Sequence, residues 1–116
     1  VTGLDELLER VVQVRGIRGA LLVTEADGLV VAEALQEGVD GAALAALAAS
    51  FTLRLRRAAT DAGLAAPTVV QLRAERGALL TVPAGEDLLV VAIADRDANL
   101  GLARLELRDA AARLRA

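Results

Sequence analysis

A chain of 116 residues, 55% hydrophobic and 25% charged, with a net charge of −3, fits one domain with an ordinary buried core. Cysteine and histidine are both absent, which excludes a disulfide framework, a thiol nucleophile and the usual zinc, haem and triad chemistries. All 13 basic residues are arginine, so there is no phosphate-loop or Schiff-base lysine, and Phe51, the sole aromatic, leaves no platform for stacked bases.

Thr2-Gly3-Leu4-Asp5 opens the first helix, with Thr2 placed to cap it and Asp5 placed to complement its dipole. Leu4, Leu7, Leu8, Val11 and Val14 then follow the i, i+3, i+4, i+7 spacing of one buried stripe, and Gly16 ends the helix. Asp5, Glu6 and Glu9 interrupt anything resembling a secretory signal, so a cytoplasmic location is expected. The period changes to two over residues 18–25 and 29–35, giving two strands joined by Ala26-Asp27-Gly28. The Asp-Gly pair tolerates the positive φ of a tight hairpin, and Asp27 reads as a turn residue rather than a metal ligand.

Gly38-Val39-Asp40 breaks the second strand and caps a long helix that runs to about residue 62, with Gly63 as its stop. Leu44, Leu47, Phe51, Leu55, Ala58 and Ala62 form one bulky stripe along it. The opposite side, instead of being charged, carries Ala42, Ala45, Ala46, Ala49, Thr52, Leu53 and Thr60, with Arg56 and Arg57 flanking. A narrow strip of Ser50, Arg54, Arg57 and Asp61 is all that looks solvated. A helix apolar on two sides needs two covers, and the alanine side suits close approach by the same helix of a second copy. Alanine's high helix propensity is the bland alternative, and the close-approach reading is preferred to it.

Residues 68–74 alternate, with Val70 and Leu72 on one face and Gln71 and Arg73 on the other. Residues 78–83 follow after a turn, with Ala78, Leu80 and Val82 as the inward set. The strand at 87–94 shows no alternation, so it belongs in the middle of a sheet covered on both faces. Asn99 caps a last helix whose stripe is Leu100, Ala103, Leu107, Ala110 and Leu114, widened by Leu102 and Leu105 toward the first helix. The order is α-β-β-α-β-β-β-α in one domain spanning residues 1–116, an α/β (α+β) arrangement of five antiparallel strands with helices on both faces. The longest apolar runs, at residues 88–94 and 41–49, are too short to span a membrane, and the mildly acidic balance gives no footprint for nucleic acid.

Gly16-Ile17-Arg18-Gly19-Ala20-Leu21-Leu22-Val23 with Asp27-Gly28-Leu29-Val30-Val31-Ala32 resembles the helix-to-hairpin segment of the roadblock domain, the dynein light chain 7 family. Asp87-Leu88-Leu89-Val90-Val91 and Asn99-Leu100-Gly101-Leu102-Ala103-Arg104 resemble its last strand and the start of its last helix, and the element order matches throughout. The resemblance implies a three-layer, profilin-like fold with strand order 2-1-5-4-3, the first and last helices on one face and the middle helix on the other. It also implies a homodimer formed by third strands pairing edge to edge, with the middle helices antiparallel above them. Bacterial and archaeal members, the gliding-motility MglB type among them, serve small Ras-like GTPases as regulators or platforms, and eukaryotic relatives act in dynein and lysosomal scaffolds.

The expected function is therefore a homodimeric module that binds and regulates a small Ras-like GTPase, as activator or scaffold. The alternatives are a structural adaptor without effect on GTP hydrolysis and, ranked last, a small-molecule sensor. The expected dimer interface is Ala42, Ala45, Ala46, Ala49, Thr52, Leu53 and Arg56 on the middle helix with Val69, Gln71 and Arg73 on the third strand. Arg54 and Arg57, with Arg56 between them, are candidates for GTPase contact. No catalytic residue, cofactor or metal site is expected: Glu86, Asp87, Asp95 and Asp97 lack the spacing of a calcium loop and read as solvated turn residues.

Overall fold

The computed structural model describes residues 2–115, without the side chain of Thr2, so the cap expected of that hydroxyl lies outside the described residues. The elements are α1 (Thr2–Val12), β1 (Ile17–Thr24), β2 (Val30–Leu35), α2 (Gly41–Asp61), β3 (Val70–Ala74), β4 (Gly77–Ala84), β5 (Leu88–Ala94) and α3 (Leu100–Arg115). Their order is the expected one. The strands form one antiparallel sheet in the order β2-β1-β5-β4-β3, so β5 is central and β2 and β3 are the edges.

Two cores sandwich the sheet. On one face Leu8, Val11 and Val14 of the α1 segment and Leu100, Ala103, Leu107, Ala110 and Ala111 of α3 pack on Ala20, Leu22, Leu80, Val82, Val90 and Ala92. On the other, Ala45 and Ala48 of α2 meet Leu21, Val23, Leu79, Leu89 and Val91. The unbroken apolar run of β5 follows from this, since each of its faces lies under a helix layer. The same holds for β4, where the expected inward set was only half the story: Leu79 and Thr81 are as buried beneath α2 as Ala78, Leu80 and Val82 are on the far side.

The caps formed where the sequence placed them. Asp40 Oδ1 accepts the Ala43 N–H at 3.0 Å, and Asn99 Oδ1 accepts the Leu102 N–H at 3.0 Å. At the end of α2, Gly63 takes φ +80°; its N–H donates to Thr60 O at 3.0 Å while that of Leu64 donates to Ala59 O at 2.8 Å, closing the helix with a left-handed glycine.

One expectation for α3 fails. Leu102 and Leu105 do not widen its packing surface but stand exposed, and Ala111 is buried instead. At 100° per residue, position 111 falls 40° from Leu107 whereas 105 falls on the far side of the helix.

Candidate functional site

The orientation of α2 decides what the molecule offers to a partner. The residues it turns to the sheet are small: Gly41, Ala45, Ala48, Ala49 and Thr52 are all buried. The large side chains beneath, Leu21, Val23, Leu79, Leu89 and Val91, already fill that layer, so the helix settles close to the sheet on alanine. It also packs on the β1–β2 hairpin, where Gly28 takes φ +67° and a Cβ built there would lie 3.3 Å from that of Ala49.

This corrects the expected interface. Ala45, Ala49 and Thr52 are covered by the chain's own sheet and hairpin, and Arg56 is half-buried and ion-paired with Glu25. The first three are sequestered inside the chain, and the fourth is engaged by Glu25. Ala42, Ala46 and Leu53 are exposed on the flank above β2, and Arg54 and Arg57 are exposed on the outward ridge. On the third strand, Gln71 and Arg73 are exposed, and Val69, one residue short of β3, is half-buried against the α1/α3 core. The residues assigned to one contact thus scatter over three surfaces.

The bulky stripe is only partly covered: Leu44 and Phe51 are half-buried against the core, and the rest is left open. Leu47 is 45% exposed, Leu55 43% and, across from them on β3, Leu72 39%. α2 lies over β1, β2, β4 and β5 and leaves the outer half of β3 uncovered, so a furrow runs between helix and strand. One end of it, about 490 Å³, is walled by Leu55, Ala58, Ala62, Pro67 and Val70. The other, about 300 Å³, is walled by Leu44, Leu47, Leu72 and Leu79. Beside this furrow the outer backbone edge of β3 is unpaired among the described residues, where β3 pairs with β4 alone. The loop that closes the first end holds Ala65 at φ +62°, an unfavourable conformation for a side-chain-bearing residue, with Leu64 exposed next to it.

The two edges differ. β2 carries an irregularity in its register opposite Leu22 and Val23 and places Glu33 on the α2 face, devices that discourage further pairing. β3 is regular along its whole pairing with β4. The helical projection already contained the stripe from Leu44 to Ala62; what no local pattern could give is which of two apolar faces the sheet would take.

The acidic turn residues remain apart. Asp95 lies 3.7 Å from the Arg18 guanidinium in an exposed ion pair, and among the described residues no three Asp or Glu side chains gather as metal ligands. Nor is any described helix long and apolar enough to cross a membrane.

Comparison with known proteins agrees with this architecture. The chain is 34% identical over 113 residues to the uncharacterized protein MJ1340 of Methanocaldococcus jannaschii, covering 97% of each. Among solved structures it is similar to an MglB with a tetrameric arrangement, with a TM-score of 0.87 and 30% identity over 98% of this chain and 86% of that one. It is also similar to the gliding protein MglB of Thermus thermophilus, with a TM-score of 0.85 and 28% identity over 97% of this chain and 85% of that one. The Roadblock/LC7 domain matches residues 3–94, and with its three-layer, profilin-like fold the chain belongs to the Roadblock/LC7 domain family.

Proposed function

We propose that the chain is a homodimeric roadblock module that binds a small Ras-like GTPase and regulates it. The observation that carries the dimer is the furrow between α2 and β3, apolar on both walls and lying beside an unpaired strand edge. A second copy related by a two-fold axis offers a matching edge and a matching leucine stripe, which answers both needs at once. Its contacts are Leu47, Leu55 and Leu72, with the β3 backbone from Val70 to Ala74, in place of the alanines expected from sequence. The likeness to an MglB solved as a tetramer, at 30% identity, supports self-association.

Paired in this way, two α2 helices lie side by side with Arg54 and Arg57 of each copy on the outward ridge. That ridge is the surface we assign to the GTPase. Family membership supports this part of the reading, together with the arginines' freedom from the ion pair that holds Arg56. Regulation on such a platform consists of positioning the switch loops or supplying a guanidinium to the transferred phosphate. The test is single-turnover GTP hydrolysis by a small GTPase encoded beside this chain, with and without the protein. A changed rate, reverting in R54A/R57A, supports the regulatory reading. Complex formation with an unchanged rate makes the chain an adaptor, and no complex removes the GTPase from the account.

A further inference from the structure

The sheet face opposite α2 carries a second uncovered shelf, and its charge is the reverse of the chain's. α3 packs on β4 and β5 and stops short of β3. On β3, Gln71 and Arg73 stand across from Leu80 and Ala78, which belong to the α1/α3 core, so both are on this face, and both are exposed. On α3, positions 104, 108 and 115 fall within about 40° of one another around the axis, and all three are exposed arginines. Arg108 and Arg115 line a recess of about 360 Å³ with Pro67, Thr68, Val82 and Pro83, which sets this flank of the helix beside the approach to β3. Arg115 is held there by donating from Nη1 to the Pro83 carbonyl at 3.0 Å.

Among the described residues no carboxylate shares that flank of α3. Asp109 lies about 100° away around the helix and is occupied by Arg113 at 2.9 Å. Among the described residues neither Arg73, Arg104 nor Arg108 has an ion-pair partner, and the nearest acid along the strand is Glu75, in the turn after β3. Arg108 and Arg115 thus line the recess itself, with Arg104 on the same flank of α3 and Arg73 on the same face of β3, in a chain whose net charge is −3.

We propose that this shelf docks an extended polypeptide segment rich in Asp and Glu. Guanidinium forks pair with carboxylates in a bidentate geometry, and the planar fork loses less freedom per hydrogen bond formed than a lysine ammonium does. From Arg104 to Arg115 the helix rises about 16 Å, the span of about five extended residues. A shelf walled by a helix and floored by a strand admits one chain and is withdrawn from a flat lipid surface. The lack of aromatics and the negative charge elsewhere disfavour a long nucleic acid. All the residues come from one chain and lie on the face away from α2; where copies pair through β3, the partner's strand extends the floor of the shelf beside Arg73.

The experiment is fluorescence anisotropy of a labelled poly-glutamate peptide of about eight residues, titrated with the full chain at low salt beside a poly-glutamine peptide. The expected result is saturable binding of poly-glutamate that weakens with salt. In R104Q/R108Q affinity falls on the order of tenfold. In R10Q/R15Q, which removes two exposed arginines of the α1 segment, it is unchanged. Circular dichroism melts establish that both variants fold. Absence of saturation, equal binding of poly-glutamine, or equal loss in R10Q/R15Q overturns the proposal. So does tighter binding of single-stranded DNA or phosphatidylserine vesicles, which would assign the arginines to another class of partner.

Discussion

Arg56 of α2 donates from Nη2 to Oε1 of Glu25 at 2.5 Å, joining two residues 31 positions apart and tying the helix to the end of β1. Both side chains are partly buried, and Arg56 Nε is enclosed without an acceptor, so the guanidinium is committed to this contact rather than to a partner. In Arg56→Ala the Glu25 carboxylate is left half-buried and unpaired, and we expect a loss of about 1–2 kcal/mol. Urea denaturation of R56A, E25A and the double variant checks this. The double variant is expected to lose less than the sum of the singles; strict additivity would show that the pair contributes nothing.

Ala49 is enclosed between the sheet and the Gly28 turn. Ala49→Leu therefore overpacks the interior of one chain and is expected to lower its stability by about 1–3 kcal/mol. The check is thermal melting over a concentration series. A destabilisation that appears only at concentrations where copies associate would return Ala49 to the dimer interface.

Thr52 and Thr81 are fully buried between α2 and the sheet, and among the described residues neither hydroxyl has a hydrogen-bond partner. Valine keeps the branched shape and removes the uncompensated oxygen. Thr52→Val is thus expected to be neutral or to stabilise by up to about 2 kcal/mol. Denaturant midpoints measure it, and a loss above about 1 kcal/mol would mean that the hydroxyl is satisfied in solution.

The Asp40 cap serves the helix on which the proposed interface stands. Asp40→Ala frees the Ala43 N–H and is expected to cost about 1 kcal/mol. Hydrogen exchange localised to the first turn of α2 reports it, and unchanged protection there would show the cap to be idle.

Much of the fold was legible because its signals are local. The change of period from 3.6 to 2, the Gly63 stop and the Asp40 and Asn99 caps each depend on a few neighbouring residues, and each is where the pattern placed it, whereas α1 ends at Val12, short of the Gly16 stop. The missing alternation of residues 88–94 marked the central strand for the same reason. The site was less legible. On α2 both sides are apolar, and the usual rule that bulk faces inward holds only in part: the sheet beneath supplies most of the bulk, small residues sit fully buried over it, and of the bulky stripe Leu44 and Phe51 reach the core only from the flank. Arg56 is assigned to the dimer interface by sequence alone because Glu25, its partner within the chain, lies on another element, beyond the reach of any helical or strand spacing. The double burial of β4 was hidden by Thr81, whose hydroxyl reads as solvated until α2 is seen above it.

The central claim is that the leucine-lined furrow beside β3 is closed by a second copy of the chain. Sedimentation equilibrium of the unmodified protein and of L55R/L72R tests it, with circular dichroism to confirm that the variant is folded. The account predicts about 24 kDa for the unmodified protein, twice the 12.0 kDa of one chain, and about 12 kDa for the variant. A 12 kDa species for the unmodified protein at micromolar concentration, or an undiminished dimer in L55R/L72R, would contradict it.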